Sequence, residues 1–466
     1  MSTQIVTTES VELYSTKAPA LPFAPNEYSR EYHNQLNSIL RLYFNTLDNF
    51  LAQLMANSST LPISIGGTNT DAFGRLRVSQ PYTLFDSQNR YAADNQFDIA
   101  TTGTGTTSFL SNEAAVQMQV TGVGVGSVVR QSYRSFPYQP GKGLLILATF
   151  VMDGNASTNL TQRVGYFNTQ NGVFFQRVDG VYSFVLRSSS TPNPGTPSDI
   201  RTVNQDDWNG DKLDGTGASG YTLDPSKAQI LWMDFEWLGV GSVRCGFIIN
   251  GEYIVCHTFN NANDITSVYM TTAILPIRYE ITSSSAIAAS MKSICCSVVS
   301  EGGFEQTSID HVARRTTAFS NIDTAATFYP IVSIRLASGR TGAVVLPNRV
   351  QFLPLTSQNY EVVLLKNPTL TGATWAATVP SDSNVEYDIA ATAISATGSI
   401  VQTDYVTSTG SGGVSQTSAP TGYNWDLQLG VSLTSVSDIY TLAVRTVDGA
   451  TKGSGLGSIS FYDLTQ

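Results

Sequence analysis

Ala228-Gln-Ile-Leu-Trp-Met-Asp-Phe-Glu-Trp237, Leu238-Gly-Val-Gly241, Ser242-Val-Arg-Cys-Gly-Phe-Ile-Ile249, Asn250-Gly251 and Glu252-Tyr-Ile-Val-Cys-His-Thr-Phe259 read in succession as strand, turn, strand, turn, strand. Asn-Gly between two apolar runs is the signature of a two-residue hairpin turn, because both residues tolerate positive φ. Counting outward from Asn250-Gly251 pairs Ile249 with Glu252, Phe247 with Ile254 and Cys245 with Cys256. The last would be a hydrogen-bonded pair with Cα atoms about 5.5 Å apart. That spacing permits a bridge, but in a reducing cytoplasm neighbouring buried thiols are expected instead. Cys295-Cys296 should point to opposite faces of one strand and not pair.

A second meander precedes the first. Asn171-Gly172 is read as joining Arg163–Gln170 to Val173–Val178, and Asp179-Gly180 as joining that strand to Val181–Arg187. With Ser127–Arg134, Gly143–Met152, Ile277–Ile281 and Ser293–Ser300 as flanking strands, residues 58–303 are expected to form a jelly-roll-like antiparallel β-sandwich. Glu301-Gly-Gly303 closes it, and residues 304–328 read as a linker. From Tyr329 the runs Val332–Leu336, Ala343–Leu346, Glu361–Leu365, Val385–Ala391, Asp426–Leu433 and Tyr440–Val447 predict a smaller C-terminal β-sandwich over 329–466. The fold class is therefore mainly β.

One stretch departs from this pattern. In Asn26–Asn57, Leu36, Leu40, Tyr43, Leu47, Phe50 and Leu54 recur at spacings of four and three, an a/d seam widened by Ile39, Phe44 and Leu51. The spacing predicts an amphipathic helix capped by Asn26 and ended before Pro62. The seam can be buried on this chain's own sheets or on copies of itself. Residues 1–25, punctuated by Pro19, Pro22 and Pro25, read as an extended arm.

Composition narrows the function. Of 466 residues only 13% are charged, below the usual quarter, and the formal net charge is -10. With no basic stripe, a nucleic-acid partner is not expected. The longest apolar run, Gly143–Met152, is too short to span a bilayer, and Met1–Ser10 lacks the regions of a signal peptide, so a soluble protein made in the cytoplasm is expected.

Candidate chemistry is sparse. Asp234 and Glu236 share a strand face, which is how a retaining glycoside hydrolase sets its nucleophile and acid. Carboxyl groups there stand about 5–5.5 Å apart, whereas Cα atoms two residues apart on a strand are separated by about 6.6 Å. The alternative is a solvent-facing strand bordered by Trp232. Asp207-Trp-Asn209-Gly-Asp211-Lys-Leu-Asp214 resembles the start of a calcium loop but has Lys212 where glycine belongs and Ala218 where the closing glutamate belongs. A turn-rich loop held by its own Asp and Asn side chains is the stronger expectation. His33, His257 and His311 lack metal-ligand spacing. Gly122-Val-Gly124-Val-Gly126 reads as a flexible hairpin, since no strand–turn–helix context surrounds it. No cofactor, metal or catalytic residue is expected.

Four longer stretches carry a resemblance. Tyr28–Asp48, Asp71–Val78 with Thr83–Asp86, Asp207–Gly215 and Trp237–Arg244 resemble segments of virion structural proteins of marine tailed phages, cyanophage-like, over residues 26 to about 303. The resemblance implies a tail- or fibre-associated virion component, with a capsid decoration protein as the alternative. It implies other virion proteins as partners, attachment through the arm and helix, and synthesis in the host cytoplasm. A homo-oligomer is expected, with a trimer favoured because the broad Leu/Tyr/Phe seam suits more than two strands and closed cyclic assemblies leave no free end. Host surface polysaccharide is a further expected partner, with Trp208, Tyr221 and Trp232 as its stacking surfaces. The alternative from another class is a carbohydrate-active enzyme using Asp234 and Glu236.

Overall fold

The computed structural model describes residues 21, 27–60, 80–154, 158–190, 196–305, 308, 310–377, 383–407, 415–417, 425–447 and 452–465. The arm at 1–25, apart from Leu21, and the Asp71–Val78 stretch with Arg75 and Arg77 lie outside them. Residues 1–67 and 68–466 are two separate compact units.

Among the described residues of the first unit a helix runs over Arg30–Thr60. Its cap is Ser29, whose hydroxyl accepts from the Tyr32 amide at 3.2 Å and whose carbonyl accepts from the His33 amide at 3.2 Å; Asn26, expected as the cap, lies outside the described residues. A serine three residues ahead of a free amide captures it, so the helix starts later than the apolar period suggests.

The second unit holds two β-sandwiches. In the first, one sheet orders Glu252–Phe259, Val243–Ile249, Gln229–Phe235, Leu144–Met152, Ala289–Ser300, Ala115–Val120 and Thr106–Leu110, with Tyr82–Gln88 also on Ala289–Ser300. The facing sheet orders Ser198–Asn204, Val181–Ser188, Gly172–Val178, Leu160–Phe167, Ile277–Ser283, Gly126–Ser132 and Phe97–Gly103. All pairings within both sheets are antiparallel. Consecutive strands such as Leu144–Met152 and Leu160–Phe167 cross from one sheet to the other, as in a jelly roll. Gly122–Gly126 is one such crossing, linking Ala115–Val120 to Gly126–Ser132 in the opposite sheet, and so is not a hairpin. Leu231, Met233 and Phe235 from one sheet meet Val164, Phe175 and Phe184 from the other in a continuous core. Each such side chain contributes about 1.5–3 kcal/mol on burial.

Turn chemistry decided most of the register. Asn250 and Gly251 both have positive φ, 53° and 84°, and Ile249 pairs with Glu252. Asp179 and Gly180, with φ of 51° and 86°, join Val178 to Val181 in the same way. Asn171-Gly172 behaves differently. The Asn168 side chain accepts from the amides of Gln170 and Asn171, both at 2.8 Å, which makes the loop four residues long. Gly172 then opens the strand opposite Phe167, where a Cβ would lie 2.1 Å from the Phe167 Cβ.

The second sandwich stacks a sheet of Asp310–Arg314, Gly453–Asp463, Val345–Pro354 and Ser415–Thr417 on one of Ala376–Ala377, Val385–Asp388, Tyr329–Leu336, Ile439–Thr446, Asn359–Lys366 and Ser399–Thr407. Ile331, Ile334, Val362 and Leu442 meet Val350, Phe352, Ile459 and Phe461 between them. The stretch 304–328, expected as a linker, supplies Asp310–Arg314 and Phe319–Ile322, both paired with Gly453–Asp463. Asp426–Leu433, expected as a strand, instead begins in a short 3-10 turn at Trp425–Leu427 and runs along the first sandwich. Arg134 Nη1 donates to the Trp425 carbonyl at 2.5 Å, Gln428 Nε2 to the Ser135 carbonyl at 2.8 Å, and the Val431 amide to the Tyr133 carbonyl at 2.8 Å. Trp425, Val344 and Leu346 join the first sandwich's core.

Candidate functional site

The helix seam comes first. Leu36, Ile39, Leu40, Tyr43 and Leu47 are half-buried, and Leu42 and Phe44 are 71% and 55% exposed. Within Arg30–Leu47 no side chain is buried. Phe50 and Leu54 fall within the helix, and their side chains lie outside the described set.

The two carboxylates of the central strand do not face solvent, contrary to the expectation of an exposed strand face. Asp234 and Glu236 are both 0% exposed. Asp234 lies opposite Arg244 in the neighbouring strand, and the Arg244 guanidinium is bonded to its Oδ2. Trp232 is also buried, with Nε1 donating to the Ile254 carbonyl at 3.2 Å and its ring edge-on to Tyr253. Gly246 makes room for this contact, since a Cβ there would lie 2.9 Å from the Trp232 Nε1.

The cysteine register is corrected by a bulge. Phe247 pairs with Ile254, but Cys245 pairs with His257 and Cys256 is the extra residue. The Val255 and Cys256 carbonyls turn outward and accept from the Asp211 and Gly210 amides, both at 2.9 Å. A loop that donates to an edge strand satisfies groups the sheet leaves unpaired. All four cysteines are free. Burial pushes the Cys245, Cys256 and Cys296 thiols up.

That donating loop is the calcium-like stretch. Asn209 Oδ1 accepts from the Thr258 amide at 2.8 Å, and Asp211 accepts from the Leu213 amide at 2.9 Å and the Ser219 amide at 2.7 Å. Asp214 accepts from the Thr216 amide at 2.8 Å. Partial burial raises the Asp211 carboxyl, but the Ser219 and Leu213 amides outweigh it and hold the group below the usual range. The side-chain oxygens of Asn209, Asp211 and Asp214 are bonded to the chain's own amides. Among the described residues no three His, Cys, Asp or Glu side chains are grouped to hold a metal.

Of the residues expected to stack on sugars, Trp208 and Trp232 are 2% and 0% exposed and belong to the interior. Trp208 lies 4.8 Å from the Phe184 ring. Tyr221 is half-buried, its hydroxyl accepting from Asn250 Nδ2 at 2.9 Å. His33 is exposed on the helix, whereas His257 and His311 are buried in different sandwiches. Burial, aided by Arg201, lowers the His257 imidazole to about 4. Its Nδ1 accepts from the Asn209 amide at 3.4 Å.

One concave feature was not legible in the sequence. Where the sandwiches meet, a cleft of about 590 Å³ is lined by Gln96, Tyr133 and Arg134 of the first and by Lys366, Gln428 and Asp438 from beyond residue 360, among others. No periodicity or motif marks these positions.

No known family profile and no curated protein matches the chain. Among solved structures it is similar to an endo-β-1,4-glucuronan lyase from the fungus Trichoderma reesei, with 13% identity, a TM-score of 0.31, and coverage of 47% of this chain and 95% of that one. It is also similar to the carbohydrate recognition domain of Emp47p, with 9% identity, a TM-score of 0.31 and coverage of 48% and 98%. Peanut lectin matches at 11% identity, a TM-score of 0.26 and coverage of 48% and 98%. Likeness at this level transfers neither ligand nor activity. Among the described residues no helix is long and apolar enough to cross a membrane.

Proposed function

We propose that this protein is a structural component of a tailed-phage virion, tail- or fibre-associated, which assembles through the Arg30–Thr60 helix and presents its two joined sandwiches to the host surface. The observation that carries this reading is the state of the helix. It bears a heptad seam at Leu36, Leu40, Tyr43 and Leu47, yet none of its side chains from Arg30 to Leu47 is buried. A lone helix in water draws little stability from propensity and needs a packed apolar face. Three copies of the same seam supply that face, and closure around a three-fold axis leaves no unpaired end.

The resemblance of Tyr28–Asp48, Asp207–Gly215 and Trp237–Arg244 to virion structural proteins supports the same reading. So does the use to which the chemistry-bearing residues are put. Asp234 is paired with Arg244, and the Asp211 and Asp214 oxygens hold a loop. Host surface glycans are the partner proposed for the sandwiches.

The test is incorporation. Leu40→Asp with Leu47→Asp should leave the sandwiches folded, as read by an unchanged β-type circular dichroism spectrum, and abolish incorporation into particles. Normal incorporation of that variant would refute the assembly role.

A further inference from the structure

We infer that the cleft between the two sandwiches binds an uncharged saccharide. This gives the glycan contact of the reading above a place, and it rests on that reading only for the ligand class. The cleft of about 590 Å³ falls within the ordinary size of small-ligand sites.

Its lining includes a residue with an unmet buried acceptor. Gln428 is 2% exposed, its Nε2 donates to the Ser135 carbonyl at 2.8 Å, and its Oε1 is buried without a partner among the described residues.

The charges of the lining cancel one another. Arg134 is held by the Trp425 carbonyl at 2.5 Å and by the Gln96 side chain, with Asp426 at 3.8 Å. Lys366 Nζ lies 3.0 Å from Asp438 Oδ2, and that carboxylate also takes the Gly430 amide at 3.0 Å and Asn367 Nδ2 at 2.7 Å through its other oxygen. Two cations face two anions, so neither an anion nor a cation finds an unmatched opposite charge.

The rest of the lining is suited to hydroxyls. Asn95, Gln96 and Gln428 carry carboxamides, each donor and acceptor at once, and Ser399 adds a hydroxyl. Tyr133 is half-buried and offers an aromatic face of the kind that packs against the C–H side of a pyranose. The two walls are fixed to each other by the Tyr133–Val431 backbone bond at 2.8 Å and by the Leu433 amide on Asp98 Oδ2 at 2.7 Å. Binding therefore requires little ordering of the protein.

The experiment titrates the full chain calorimetrically with maltotetraose, cellotetraose, mannotetraose and galactotetraose, and with tetragalacturonate as the anionic control. At least one neutral tetrasaccharide should bind with a millimolar or tighter Kd, and tetragalacturonate should not. Asn95→Ala with Ser399→Ala, both at the cleft rim, should weaken that binding at least about tenfold with Tm unchanged. Gln428→Leu should abolish it, and the rim variant guards against a misfolded Gln428→Leu. Binding of none of the four, preference for the anion, or binding undiminished in the rim variant would overturn the proposal. Sedimentation of the same variants reads the assembly separately: an unchanged oligomer with no sugar binding sinks the site alone, and a monomer that binds sugar sinks the assembly reading alone.

Discussion

Arg244 and Asp234 lie opposite each other on adjacent central strands, the guanidinium bonded to a carboxylate that solvent does not reach. A buried pair loses more when one partner is removed than it contributes when intact, because the remaining charge is stranded. Asp234→Ala or Arg244→Ala should therefore destabilise the sandwich by about 3–5 kcal/mol. Asp234→Asn with Arg244→Met should cost clearly less than either single change. Urea unfolding of the purified variants measures this, and equal losses in the single and double variants would argue against the pairing.

The burial of Asp234 and Glu236 bears on hydrolysis. A glycoside hydrolase needs both carboxyl groups at the sugar, and here both are 0% exposed. Incubation of the pure protein with host surface polysaccharide should release no reducing ends. Release that disappears in Glu236→Gln would make the enzyme reading correct.

A pH dependence follows from His257. Its pKa is lowered in the fold to about 4, so the unfolded chain binds the proton more tightly. The stability this neutral imidazole supports is present above its unfolded value near 6.5 and is lost as pH falls from there toward 4. Protonation also removes the Nδ1 lone pair that the Asn209 amide uses. Tm should fall by several degrees between pH 7 and pH 4.5, and His257→Gln should flatten that part of the curve. An unaltered slope in the variant would exclude His257 as the cause.

Thiol accessibility tests whether the four cysteines are free. Cys295 is exposed, while Cys245, Cys256 and Cys296 are buried. A water-soluble disulfide reagent at pH 8 should modify one thiol in the native chain and all four in guanidinium. Two reactive thiols in guanidinium would mean that Cys245 and Cys256 are bridged.

The sequence was readable where structure is set locally. Asn250-Gly251 and Asp179-Gly180 adopt the positive φ values that their residue types favour, so two hairpins and much of the central register could be counted out by hand. Asn171-Gly172 misled because the neighbouring Asn168 captured two amides and lengthened the loop. The Cys256 bulge depends on Gly210 and Asp211, which are close in space and distant along the chain. The strand Gly453–Asp463 is hidden in the sequence because Gly-Ser-Gly-Leu-Gly-Ser looks like a turn. Its glycines instead allow close approach, and a Cβ on Gly455 would lie 2.3 Å from the Phe352 ring.

The candidate sites divide in the same way. The helix seam has a period that is legible in the sequence, whereas its Ser29 cap carries no periodic mark. Trp208 and Trp232 are core residues, and side-chain chemistry alone does not separate a stacking platform from a core residue. The inter-sandwich cleft draws Gln96 and Tyr133 together with Lys366 and Gln428 through contacts of long sequence separation, which leave no local mark.

Whether the Arg30–Thr60 helix holds copies of this chain together is tested by sedimentation equilibrium of the full chain at micromolar concentration, run beside a chain lacking residues 1–57 and beside Leu40→Asp with Leu47→Asp. A trimer is expected for the full chain and a monomer for both variants. A full chain that sediments as a single monomeric species, unchanged by the deletion, would contradict it.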